Sequence, residues 1–268
     1  MQPGGLCWDL LRPALCSNRI YGGWALGAHG SGKYIGSMFR QLIKGISSNL
    51  PSQCTICHAW PARALCSECV AQFAQPMPRC RTCALPVLAG ITQCGKCIAE
   101  PPPLDRALAA VAYGYPWSLL VQDLKFHQNT ARARNMATLM RSTPWVEPAI
   151  DTADWLIPMP LHPARLRERG FNQSQLLAQS LDRSKTRNNA LLRIQPSAPQ
   201  TTLPRKDRIR NMQGAFALEP SQYANVQGKS IVIVDDVMTT GASLHAAANT
   251  LRAAGAARIT GLVFARTE

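Results

Sequence analysis

Ile231-Val232-Ile233-Val234-Asp235-Asp236-Val237-Met238-Thr239-Thr240-Gly241-Ala242-Ser243 is the stretch that decides the fold. Four consecutive β-branched apolar residues, led in by Ser230, predict a strand over 230–234 buried on both faces, as in a parallel sheet. Two adjacent acids follow, then a turn of small residues. An Ala-rich helix over 243–254 comes next, ended by Gly255. Acids at the carboxyl end of a parallel strand face the crevice where open α/β sheets bind ligands. Adjacent carboxylates accept hydrogen bonds, and vicinal sugar hydroxyls offer two. The turn supplies hydroxyls and backbone N–H groups at a helix N-terminus, where an anion is favoured. The stretch therefore reads as a site for a ribose carrying a phosphate. The competing reading is a strand that ends in a solvated Asp pair with an ordinary helix cap. The Thr-Thr-Gly-Ala-Ser turn argues against it.

Working outward, strands alternate with helices. The spacing predicts strands over 107–115, 155–159 and 258–265, and a weaker one over 190–194. Helices are predicted over 117–126, 131–140 and 171–181. This alternation implies an α/β fold with a mostly parallel sheet covered on both faces. Residues 199–214 are polar, basic and aperiodic, and read as a long loop. Loops of that length are usually functional or disordered.

Eight of the ten cysteines fall within residues 54–97, ahead of the spacer Pro101-Pro102-Pro103. They form four C-x-x-C pairs: Cys54/Cys57, Cys66/Cys69, Cys80/Cys83 and Cys94/Cys97. Two thiolates at this spacing can hold one metal ion, and two such knuckles complete a tetrahedral structural zinc site. Four pairs in so short a segment do not fit a single redox motif. One or two zinc ions are expected. The spacing leaves open whether neighbouring pairs share an ion or interleave. His58 is a conceivable substitute ligand, although a surface histidine explains it as well. Cys7 and Cys16 carry no assigned role.

Residues 1–37 show no apolar period and are expected to be a disordered extension, with Met38 as a candidate start. A short amphipathic helix is expected within 38–46. Gly27-Ala28-His29-Gly30-Ser31-Gly32-Lys33 has the spacing of a phosphate-binding P-loop. Tyr34, however, stands where a Ser or Thr should hold magnesium, and the preceding stretch is a poor strand, so no site is assigned. No apolar run approaches the about 20 residues that a bilayer span needs, and a secretory signal is lacking, so a cytoplasmic protein is expected. Hydrophobic residues at 46% and charged residues at 16% exclude a disordered polyelectrolyte. The net charge of +14 points to polyanionic partners.

Residues 231–243 resemble the 5-phosphoribosyl-1-diphosphate (PRPP) motif of type I phosphoribosyltransferases. Other stretches narrow the resemblance to the competence protein F (ComF) family, in which a Cys-rich zinc module precedes that fold. They are Pro101-Pro102-Pro103-Leu104-Asp105-Arg106, Leu124-Lys125-Phe126, Ile157-Pro158-Met159-Pro160-Leu161-His162-Pro163, residues 165–173, and residues 200–216. The resemblance covers residues 38–268. It implies a zinc-binding module over 38–100 and a phosphoribosyltransferase-like domain over 104–268. Asp235 and Asp236 would hold ribose hydroxyls in a solvated crevice. Thr239, Thr240, Gly241, Ala242 and Ser243 would hold the 5-phosphate of PRPP, with Mg2+ as its companion.

Residues 160–170 resemble a pyrophosphate-binding loop, with Arg165, Arg167 and Arg169 available to phosphate oxygens. Loop 199–214 resembles a catalytic flap, in which Arg205, Lys206, Arg208 and Arg210 could close over pyrophosphate. Arg208 is the expected catalytic cation. The implied chemistry is transfer of phosphoribosyl to an unknown acceptor. Family members are associated with DNA uptake and natural transformation, which suggests a DNA-uptake helicase or other competence proteins as partners. Residues 161–210 hold 11 Lys/Arg against 3 Asp/Glu, more cations than one PRPP requires. That surplus motivates an alternative: a non-catalytic factor binding single-stranded DNA. A further alternative is a PRPP-responsive regulator.

Overall fold

Ser230, Ile231, Val232, Ile233 and Val234 do form a strand, but the strand runs on to Met238. The computed structural model describes residues 52–194 and 214–268. The expectations for residues 1–37, the short helix within 38–46, Cys7, Cys16, and Arg205, Lys206, Arg208 and Arg210 lie outside the described residues.

In chain order the elements are α1 Ser67–Phe73, α2 Gly95–Ala99, β1 Arg106–Ala112, α3 Trp117–Phe126, α4 Arg132–Ser142 and α5 Val146–Asp151. Then come β2 Trp155–Pro158, α6 Pro163–Arg169, α7 Gln173–Leu181, β3 Leu191–Arg193 and β4 Phe216–Leu218. A 3-10 turn, Pro220–Gln222, leads into α8 Tyr223–Val226, followed by β5 Ser230–Met238, α9 Ala242–Ala253 and β6 Arg258–Arg266. The main sheet has the order β1-β6-β5-β2, and all its pairs are parallel. β3 and β4 form a separate antiparallel pair.

The sheet is apolar on both faces because both are covered. One face carries Leu244, Ala247, Ala248 and Leu251 of α9, with Leu191, Phe216 and Leu218 of the β3–β4 pair. Helices α3, α4, α5 and α7 cover the other, packing on Val232, Val234, Leu262 and Phe264. β5 is paired on both sides as far as Val234, which lies opposite Pro158 of β2. Beyond it, Asp235 to Met238 pair with β6 alone.

Helix α6 stands where a loop over 160–170 was expected. It buries no residue, so it shows no apolar stripe for a sequence pattern to find. Local signals build it instead. His162 caps it by accepting from the Ala164 N–H (3.3 Å), Pro163 opens it, and Gly170 ends it with φ +79°.

Cys80, Cys83, Ala84 and Cys97 belong to the same apolar cluster as the α9 face of the sheet. The first cysteine segment is tied in by Trp117, whose Nε1–H donates to the Phe73 carbonyl (2.8 Å) while its ring meets Phe264 edge-on at 6.1 Å. Trp117 is 2% exposed. Replacing it by Ala is expected to lower stability by about 3–5 kcal/mol, read as a fall in the urea midpoint with the slope unchanged.

Candidate functional site

The site begins where β2 stops. Past Val234 the flank of β5 is taken by the start of α7. Asn172 caps that helix, its Oδ1 accepting from the Ser174 and Gln175 N–H groups at 3.0 and 3.4 Å. Its Nδ2 donates to the Met159 carbonyl at 3.0 Å, anchoring the helix start to the end of β2. Ser174 Oγ is thereby aimed at Asp235 and donates to Oδ1 at 2.8 Å. The same Oδ1 accepts the Asp236 N–H at 2.9 Å.

The two acids differ. Asp235 is half-buried, whereas Asp236 is 3% exposed and ion-paired with Lys125 from the last turn of α3. The expectation that both side chains face a solvated crevice is therefore corrected. Desolvation, reinforced by the neighbouring Asp236 charge, pushes the Asp235 carboxyl up to about 7, against the Ser174 hydrogen bond and the Lys125 charge.

Cations surround the pair. Arg165 and Arg169, one helical turn apart on α6, lie close enough to repel each other, and Arg169 feels the Asp236 charge. Arg169 Nη1 donates to Gln173 Oε1 (2.7 Å), and its guanidinium stacks 5.8 Å from the Phe126 ring centroid. Arg193 of β3 feels both Asp235 and Arg165 and stacks 5.4 Å from Phe216. Arg167 is exposed, and among the described residues no interaction links it to this group.

The turn follows as expected in residue type. Gly241 has φ +82°, and a Cβ there would lie 2.6 Å from Met238 Cε and 2.9 Å from His245 Nε2, so glycine is required. Thr240 Oγ1 accepts the Ala242 N–H at 3.3 Å, where α9 begins. Thr239 is exposed, and Thr240, Ala242 and Ser243 are half-buried. The turn is held from below by Arg266, 4% exposed. Its Nη1 donates to the Met238 carbonyl at 3.0 Å and also to Thr239 O, and its Nε donates to Cys83 O at 2.9 Å. His245 is kept neutral, its pKa lowered to about 4 by burial and by the Lys96 and Arg266 charges.

Sequence reasoning assigned no role to Ser174, Lys125, Arg193, His245 or Arg266. Asn172 before a helical run was a legible cap signal that could have drawn attention to Ser174. The others are brought in by tertiary folding alone.

The cysteines form two quartets, Cys54/Cys57/Cys66/Cys69 and Cys80/Cys83/Cys94/Cys97, each with its sulfurs within 4.8 Å of one another. Neighbouring pairs therefore associate and do not interleave, and neither quartet needs His58. Sulfur separations are 3.9 Å for Cys54–Cys69 and 3.7 Å for Cys57–Cys66 and Cys83–Cys94. A tetrahedral zinc with Zn–S bonds of about 2.3 Å has sulfur–sulfur edges of about 3.8 Å, so both quartets fit the ion. Burial acts to raise the Cys54 thiol, but the N–H groups of Cys57, Cys66 and Ile56 outweigh it and bring it to about 6. At Cys80, burial is likewise outweighed, here by the Cys94 N–H and the Thr82 hydroxyl, again to about 6. Such donors favour the thiolate that a metal requires.

Asp235 generates a test with a defined sign. Its folded-state pKa lies above its unfolded value, so its protonated form favours the fold, and that contribution is lost as pH rises from about 4 through about 7. Asp235→Asn keeps the acceptor for Ser174 and removes the repulsion. The variant is expected to be more stable than wild type at pH 8, with the difference shrinking toward pH 5, measured by denaturant titration at both values.

Residues 176–267 match the phosphoribosyl transferase domain family. DNA utilization protein YhgH of Escherichia coli O157:H7 is 34% identical over 224 residues, covering 78% of this chain and 95% of that protein. Competence protein F of Haemophilus influenzae is 32% identical over 203 residues, covering 73% of this chain and 87% of that protein. Competence protein ComFC of Bacillus subtilis is 35% identical over 102 residues, covering 38% and 40%. With identity of this order sustained over 95% and 87% of the first two relatives, and with cysteine knuckles leading into a parallel phosphoribosyltransferase-type sheet, the chain belongs to the competence protein F (ComF) family.

Proposed function

We propose that the protein binds PRPP at the carboxyl end of β5 and transfers its phosphoribosyl group to an acceptor, as part of DNA uptake or utilization in the cytoplasm. The observation that carries this reading is the joint geometry of the Asp235 carboxylate and the Gly241 turn at the foot of α9. The family match over residues 176–267 supports it. Asp235, the more accessible acid, accepts from the ribose hydroxyls. Asp236 fixes Lys125 beside it. The turn from Thr239 to Ser243 takes the 5-phosphate, using N–H groups and the positive end of a helix. Arg165, Arg169 and Arg193 stabilise the departing pyrophosphate electrostatically. The acceptor's lone pair forms the new bond at C1 of the ribose. The C1–oxygen bond breaks with its electrons on pyrophosphate, and the acceptor's proton passes to solvent.

Hydrogen bonds to charged groups contribute roughly 1.5–3 kcal/mol each, so Asp235→Asn is expected to weaken magnesium–PRPP binding more than tenfold in a calorimetric titration. Equal affinities, or no binding to wild type, would overturn this reading. Asp236→Asn is a poorer probe because it strands Lys125, whose side chain is only 23% exposed.

The second reading is a non-catalytic factor that binds single-stranded DNA, favoured by the exposed Arg165 and Arg167 on α6 and by the relatives named for DNA utilization. Pyrophosphate release from PRPP across a panel of acceptors, set beside salt-dependent strand binding, separates the two.

In this reading residues 54–97 hold two structural zinc ions, one per quartet. Zinc supplies folding free energy here by bridging thiolates from separate turns. Elemental analysis is expected to return two zinc ions per chain. Chelation is expected to lower the thermal midpoint, because the second quartet shares its core with α9.

A further inference from the structure

A cavity of about 480 Å3 lies where the second cysteine quartet meets the outer edge of β1. β1 is at the opposite side of the sheet from β2, so this cavity is separate from the crevice beside Asp235. Its lining is mostly apolar, including Met77, Ile91 and small residues of β1, while Arg79, Arg81, Arg106 and Trp145 supply the cations and the ring. Its size and its apolar lining with few polar groups are those of a small-molecule pocket.

The Ala107 N–H donates to the Arg81 carbonyl at 2.7 Å, tying the Arg81 segment to β1 beside Arg106, and both side chains line the cavity. Burial depresses the Arg106 guanidinium, and the Arg81 charge adds to it. No Asp or Glu lines the cavity, and among the described residues neither arginine forms an ion pair. Two like charges held together without a carboxylate call for an anion. The segments outside the described residues are themselves cationic. Residues 1–51 carry five Lys/Arg against Asp9 alone, and residues 195–213 carry four against Asp207. Neither brings net negative charge.

Trp145 is 63% exposed, and its backbone has φ +72°, a left-handed conformation that a bulky residue rarely adopts. Arg106 stacks on its indole with Cζ 5.2 Å from the ring centroid. An exposed indole held this way, beside two unpaired guanidiniums and an apolar wall, suits a planar ring that carries a phosphate.

We propose that this cavity is a second ligand site that takes a nucleotide. The phosphate pairs with Arg81 and Arg106, and the base packs against the Arg106–Trp145 stack and the apolar wall. A free nucleotide and one unit of a single strand share this chemistry.

Calorimetry on the zinc-loaded full chain tests it with adenosine 3′-monophosphate, a thymidine decanucleotide and inorganic phosphate. The 3′-phosphate lacks the 5′-phosphate that the Gly241 turn would take, so success or failure here is independent of PRPP binding. Either nucleotide probe is expected to bind more tightly than inorganic phosphate. Each of Arg81→Gln and Arg106→Gln should weaken it about tenfold or more. Trp145→Leu should weaken it about five- to a hundredfold. Asp235→Asn should leave it unchanged. Arg81 is exposed, so its variant keeps the fold even if the Arg106 variant does not. Binding of the mononucleotide identifies a free nucleotide as the ligand, and binding of the decanucleotide alone identifies a strand. If neither probe binds, or if binding survives both arginine substitutions, the proposal is overturned.

Discussion

β5 outruns β2 by four residues, and the candidate site depends on that difference in length. Up to Val234 the strand has a partner on each side and apolar neighbours on both faces. From Asp235 onward one side is open, so carboxylates can be accommodated where a continuing β2 would have walled them in. The gap is filled by polar groups that act on those acids. The Ser174 hydroxyl comes from the capped start of α7, and the Lys125 ammonium from the end of α3. Placing two carboxylates so close together in a partly desolvated position raises the energy of the doubly charged state. Lys125 offsets this at Asp236, while Asp235 is left with a carboxyl that titrates near neutrality.

Arg266 couples this end of the sheet to the cysteine segment. It is buried, and it donates to four carbonyls: Cys83 in the second quartet, Met238 and Thr239 in the turn, and its own neighbour Thr267. A buried guanidinium is tolerated only when its N–H groups are satisfied. The positions of the quartet and of the turn are therefore linked by the requirements of one side chain. Order in the metal-binding knuckle is thus transmitted to the turn beneath α9 by direct hydrogen bonds. Trp117 performs the equivalent task for the first cysteine segment, through one hydrogen bond and an edge-on contact with Phe264.

Among the described residues the positive charge is not a uniform coat. Arg169 and Arg193 come from two elements to the acid pair, which balances part of their charge, and Arg165 lies near both arginines. Arg81 and Arg106 meet at the far edge of the sheet, in a cavity that no acid lines. The first group suits a ligand that brings both hydroxyls and phosphates to an acid-bearing crevice. The second suits an anion attached to a flat apolar ring.

The residue string by itself determined the alternation of strands and helices, because buried parallel strands and amphipathic helices leave periodic apolar signals. It also determined the C-x-x-C pairs and the acid–turn–helix stretch, since these are chemical patterns of adjacent residues. α3 was legible to its last residue for the same reason. α6 was not, because a helix that buries nothing carries no stripe. β4 was missed because three residues become a strand only when β3 lies beside them. Tertiary structure alone decided which cysteine pairs associate, that Asp236 is buried against Lys125, and that Ser174 and Arg193 reach Asp235. It alone set Arg106 against Arg81 and Trp145. These are contacts between residues tens of positions apart, and only the packing of elements, which no local pattern encodes, brings them within bonding distance.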